Sequence, residues 1–117
     1  PGGTQHYKRA AFDHTTDSPV TSPEEHAPPH SILLFDGLFL HRHILRQYWD
    51  FSIFLHVDFS ISIPRGASRG QGSPDPQAES NRRYVEGQKL YIAECQPKSI
   101  ATVTINNNDI AHPYITA

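Results

Sequence analysis

The 117 residues of this chain suffice for one small domain, and acids and bases mixed along its length leave a formal charge of -2. That balance provides no broad basic surface to hold a nucleic acid or an anionic membrane by counterion release. One cysteine, Cys95, excludes an internal disulfide, and no apolar run approaches the ~20 residues of a membrane helix, so a soluble cytoplasmic protein is expected. The chain begins at Pro1 and holds no methionine, from which a missing upstream segment is expected.

Residues 1–30 are polar and rich in proline, with Pro19, Pro23, Pro28 and Pro29 removing backbone donors, and read mostly as loop. Within them, residues 7–12 suit a short strand running into Asp13 and His14. The character changes at Ser31-Ile-Leu-Leu-Phe-Asp36-Gly37, a continuous apolar run closed by an acid and a glycine, as in a strand buried on both faces of a parallel sheet. Leu40, Ile44, Leu45 and Tyr48 recur at helical spacing and predict a short crossover helix over 41–49. A second strand is expected over 51–57, rich in branched and aromatic side chains. Strand, helix and strand in that order form the right-handed parallel unit.

After Val57, either Asp58 or Ser60 suits the cap of a short helix carrying Ile61, Ile63 and Ala67, distorted by Pro64 unless that proline falls in the first turn. Residues 70–76, with two glycines and two prolines, read as a flexible connection able to act as a lid. Helical periodicity returns over 78–95 through Tyr84, Val85, Leu90 and Tyr91, and Pro97 stops it. Residues 101–105 alternate like a strand and meet a turn-forming cluster, Asn106-Asn-Asn-Asp109.

The acids and arginines carry the chemistry. Asp36 follows an apolar run, as does the acid that helps hold magnesium in phosphoryl-transfer enzymes, although the same pattern also ends in a plain turn. Arg65, Arg69, Arg82 and Arg83 flank the flexible connection on both sides, and guanidinium forks match phosphate oxygens. Their spacing fits equally a solvated helix face with ion pairs to Glu79 or Glu86. The eight histidines do not predict zinc: the Pro-Pro pair between His26 and His30 prevents a shared helical face, and His41 and His43 lack an evident third ligand. Cys95 reads as a helix-buried thiol.

Three ordered blocks, Tyr7-Lys-Arg-Ala-Ala-Phe-Asp-His14, Leu33-Leu-Phe-Asp-Gly-Leu-Phe-Leu-His41 and Tyr48-Trp-Asp-Phe-Ser-Ile-Phe-Leu55, resemble successive segments of bacterial uridine kinase-like P-loop nucleoside kinases. Gly72-Ser-Pro-Asp-Pro76 followed by Asn81-Arg-Arg-Tyr-Val-Glu-Gly-Gln-Lys-Leu-Tyr91 resembles that family's lid and following helix, so the likeness covers 7–109. It implies an α/β fold, a partial P-loop NTPase-type parallel sheet with flanking helices and a lid at about 64–83, residues 31–117 forming the C-terminal part of the kinase domain. It also implies ATP and magnesium as cofactors and a nucleoside as acceptor. By the same resemblance Asp36 serves the metal, Arg65 and Arg69 approach the phosphates as catalytic lid arginines, and Arg82 and Arg83 are further phosphate-side candidates. Phe12, Asp13 and His14 fall in the segment that lies against the nucleoside.

The chain departs from the family pattern in several places. Asp17 stands where eukaryotic relatives carry a histidine, and Pro64 and Gly70 interrupt the helix through the lid arginines. No G-x-x-x-x-G-K-[ST] loop occurs, so the resemblance implies that the phosphate cradle, the acid that activates the acceptor and the central first strand lie upstream. With a sheet order similar to 2-3-1-4-5, the strands ending at Asp36 and Val57 would flank that absent strand, and the piece alone is expected to be inactive, to re-pair those strands or to self-associate through open edges. The alternative is a non-catalytic nucleotide- or phosphate-binding regulatory module on the same scaffold.

Overall fold

The computed structural model describes residues 3–116 and divides the chain into two compact units, Pro1–Phe35 and Asp36–Ala117. The first unit is more ordered in its backbone than its prolines predict. Strands β1 (His6–Lys8) and β4 (Glu24–His26) pair antiparallel, and β2 (Phe12–Asp13) pairs with β3 (Ser18–Pro19) inside them, forming one nested hairpin. Proline is tolerated because the ladder is two-stranded, so a missing N–H faces solvent on one side. Polar clasps replace a core: Arg9 holds the Glu25 carboxylate at 2.6 and 3.0 Å, and Tyr7 donates to the same carboxylate.

The apolar run at 31–35 forms no strand, which corrects the first of the expected parallel strands. Ile32, Leu33 and Leu34 are exposed, Leu34 by 90 %. A strand is stable only when a neighbour takes up its N–H and C=O groups, and the apolar character of this run supplies no such neighbour. The expected helix over 41–49 is likewise a set of turns with a single 3₁₀ turn at Arg46–Tyr48. A helix that short needs packing along one face to offset its nucleation cost.

The rest of the second unit keeps the expected order of strand, two helices and strand, and adds a helical turn and a last strand that the sequence reading did not include. Strand β5 (Ile53–His56), helix α1 (Phe59–Ala67), helix α2 (Glu79–Cys95), the single turn α3 (Pro97–Ile100), strand β6 (Val103–Asn106) and strand β7 (Tyr114–Ile115) succeed one another. Pro64 lies inside α1 rather than in its first turn. Helix α2 ends where Gln96 takes a left-handed conformation, and Pro97 opens α3 in the position where its missing N–H costs nothing.

β5 and β6 pair parallel, Ile53 opposite Val103 through His56 opposite Asn106, and β7 closes the far edge antiparallel. The connection between the parallel strands runs through all three helices, as a parallel pair requires. The two faces of this sheet differ. Thr104 is only 2 % exposed, and its hydroxyl donates to the Lys98 carbonyl of α3 at 3.0 Å. The opposite face presents Ile53, Leu55 and Ile115 in register, all exposed. No helix among the described residues is long and apolar enough to cross a membrane.

Thr104→Val preserves shape but leaves the Lys98 carbonyl without its donor in a buried setting. A loss of about 1 to 2 kcal/mol is expected, read as a lower urea midpoint with unchanged slope.

Candidate functional site

In an open parallel sheet, ligands bind beyond the carboxyl ends of the strands. At that end of β5 and β6 the chain gathers a polar cluster. The ladder continues one step past β5, with Asn107 N–H donating to the His56 carbonyl at 2.9 Å. Asp58 and Asn108 then exchange two hydrogen bonds: Asp58 N–H donates to Asn108 Oδ1 at 2.8 Å, and Asn108 Nδ2 donates to Asp58 Oδ2 at 2.9 Å. His56 Nε2 lies 3.3 Å from Asp58 Oδ1.

Of the two candidate caps, Asp58 and not Ser60 occupies the N-cap position of α1, but it makes no side-chain cap: its carboxylate is held by Asn108 and His56. One turn-like feature organises the other strand end, where Asn108 N–H donates to Asn106 Oδ1 at 3.0 Å. Beyond it, His112 and the Ala111 N–H bond the Asp109 carboxylate and hold it below the usual carboxylate range, with a smaller contribution from Arg65.

Arg65 reaches this cluster from α1. Its Nη1 donates to the Asn107 carbonyl at 2.8 Å and its Nη2 donates to the Asn108 carbonyl. The half-buried guanidinium therefore ties α1 to the loop after β6. A guanidinium carries five N–H donors, so two carbonyls do not exhaust it. Arg69 and Arg83 are exposed, and Arg82 lies 3.2 Å from Glu79 as a solvent-facing ion pair. Asp36 is exposed, and no ion pair among the described residues joins it to any of these arginines.

The connection between α1 and α2 is anchored at its second half. Buried Asn81 donates through Nδ2 to the carbonyls of Ser73 and Asp75, at 2.8 and 2.7 Å. Gly72 needs to be glycine: its φ is +66°, and an added Cβ would stand 2.5 Å from Asn81 Oδ1.

In the first unit, Phe12 is exposed on β2, and Asp13 accepts the Thr15 N–H at 2.8 Å, which holds its carboxyl below the ordinary range and shapes the hairpin turn. His14 is exposed in that turn. The residues that sequence reading passed over are His56, Asn106, Asn107 and Asn108. Their signal was the position of an asparagine run directly after a strand, visible only once β5 and β6 are known to end together. Comparisons with protein-family models, with curated proteins and with solved structures find no match.

Arg65→Ala removes both donors to the loop after β6 and is expected to cost about 2 to 3 kcal/mol, measured by urea unfolding. Asn81→Ala leaves α2 intact by helix propensity but frees 72–76, so limited proteolysis should cut there at a rate well above that of the parent chain.

Proposed function

We propose that this chain is the C-terminal portion of an ATP-dependent nucleoside kinase of the uridine and cytidine type, and that it is inactive without the segment bearing the phosphate-binding loop. The observation that carries the reading is the parallel β5–β6 ladder with an arginine from the following helix anchored at its carboxyl end. In a 2-3-1-4-5 sheet these two strands would be the fourth and fifth, adjacent and parallel.

Two further features support it. β5 is an edge strand, and the face carrying Ile53 and Leu55 is uncovered, whereas parallel sheets are stable when both faces are buried. The apolar run before Asp36 likewise exposes Ile32, Leu33 and Leu34. A first strand paired to β5 would complete its open edge.

Magnesium fits the residues present in a limited sense. No group of three His, Cys, Asp or Glu side chains occurs among the described residues, but magnesium beside nucleotide phosphates takes only one or two carboxylates and completes its shell with phosphate and water. Asp36 would be that carboxylate. Magnesium-bound ATP would supply the phosphoryl group. Arg65, Arg69, Arg82 and Arg83 would offset its charge, and Phe12, Asp13 and His14 would line the nucleoside side. A non-catalytic nucleotide- or phosphate-binding module is the second reading, supported by Arg69 and Arg83, which are exposed and in no ion pair among the described residues.

The test is ATP-dependent phosphorylation of uridine and cytidine by the polypeptide that joins this segment to a phosphate-binding loop. Asp36→Asn and Arg69→Ala are each expected to lower kcat by about 100-fold or more. Absence of turnover on every nucleoside, with phosphate or ATP still bound in calorimetry, selects the second reading.

A further inference from the structure

The segment ahead of β5 is fastened to α2 through one side chain. The Tyr91 hydroxyl accepts the His41 backbone N–H at 3.1 Å and lies 3.3 Å from His41 Nδ1. Phe39 packs edge-to-face on the Tyr91 ring, with centroids 5.2 Å apart. It also holds a left-handed backbone, φ +63°, which a bulky side chain adopts only under constraint. The Phe39 ring also lies over Gly87 of α2, where a Cβ would meet its tip at 3.8 Å, an ordinary contact. The segment is closed on itself by Trp49, whose indole N–H donates to the Leu40 carbonyl at 2.7 Å.

His41 is buried, and its Nε2 has no hydrogen-bond partner among the described residues. Neutral imidazole suits this site, because Nδ1 then accepts the Tyr91 hydroxyl proton while that oxygen receives the His41 N–H. Imidazolium does not suit it. Both ring nitrogens would carry hydrogen, Nδ1 would oppose the hydroxyl proton, and a positive charge would be added to a buried ring whose Nε2–H is already unanswered in the neutral form.

We propose that the His41–Tyr91 contact is a pH-operated latch, whose protonation releases the turn segment 39–49 from α2. The titratable and charged groups at this contact are Tyr91, Cys95 and Glu94 of α2 and Arg42 of the segment itself, all lining an adjoining open cleft of about 220 Å³. Arg42 and Glu94 are opposite in sign, and no ion pair among the described residues joins Glu94 to His41.

Burial lowers the His41 pKa from its ordinary 6.5, so the latched state takes up the proton less readily than the released one. The contribution of neutral His41 to the closed latch is therefore complete above its ordinary pKa of 6.5 and is lost as pH falls below that value. The latch does not depend on the kinase reading.

Trp49 is the only tryptophan of the chain, and its emission reports the segment directly. Titration from pH 8 to 5 is expected to give a reversible red shift centred below 6.5, and His41→Asn, which keeps an acceptor near Nδ1 but does not titrate, should abolish it. Constant emission in the parent chain, or the same transition in the folded variant, overturns the proposal. Should His41→Asn fail to fold, the His41 Cε1–H resonance of the parent chain decides: titration below 6.5 together with the Trp49 shift upholds the latch, and titration at or above it overturns it.

Discussion

The second unit depends on the parallel pairing of β5 with β6. Residues more than forty positions apart in the chain meet there, and the ladder reaches past both strands, from the Ser52 carbonyl accepting Val103 N–H to the His56 carbonyl accepting Asn107 N–H. Such a pair cannot be joined by a tight turn, so α1, the glycine- and proline-rich connection, α2 and α3 are obligatory parts of it. The long closure is offset locally: Ser52 N–H donates to the Thr102 hydroxyl at the start, and Asp58 and Asn108 exchange bonds at the end. The polar cluster is thus a terminator of the ladder as well as a candidate site.

The sequence revealed what depends on local pattern. The α2 periodicity, its stop at Pro97, the alternation of β6 and the apolar character of β5 all appear where expected, because each is decided by near neighbours and by one buried stripe. The run ending at Asp36 did not. Its apolar side chains satisfy the pattern of a buried strand, but a strand is a relation between two backbones, and pattern reports only one of them. The turns at 39–49 were hidden for a related reason: the indole of Trp49 and the hydroxyl of Tyr91 fix them by contacts that no periodicity encodes.

The site residues divide along the same line. Arginines beside a flexible connection were visible as a composition, yet their individual states were not. Arg65 on α1 reaches the carbonyls of Asn107 and Asn108, which begin the loop after β6, whereas Arg82 finds Glu79 one helical turn away and Arg69 and Arg83 remain in solvent. Four guanidinium groups of like appearance in the sequence therefore have three different electrostatic settings. An exposed pair such as Arg82–Glu79 is worth little and yields readily to a better anion. Arg65 gives up two charge-assisted bonds to move, which fits an anchor more than a mobile finger.

Helix α2 links these observations. Asn81 near its start pins the connection from α1, and Tyr91 nearer its end pins the segment that follows Asp36. Ten residues of helix separate the two clasps by about 15 Å, a distance that a rigid helix holds constant. The half of the connection that carries Gly72 and the turns that carry Phe39 and His41 are thus registered on one rod, and each is released by breaking bonds to a single side chain. An uncharged amide clasps one end and a titratable imidazole the other. Acid loosens the second without touching the first, so motion of the turns at 39–49 and of the connection between α1 and α2 are separable by physical chemistry even though one helix carries both.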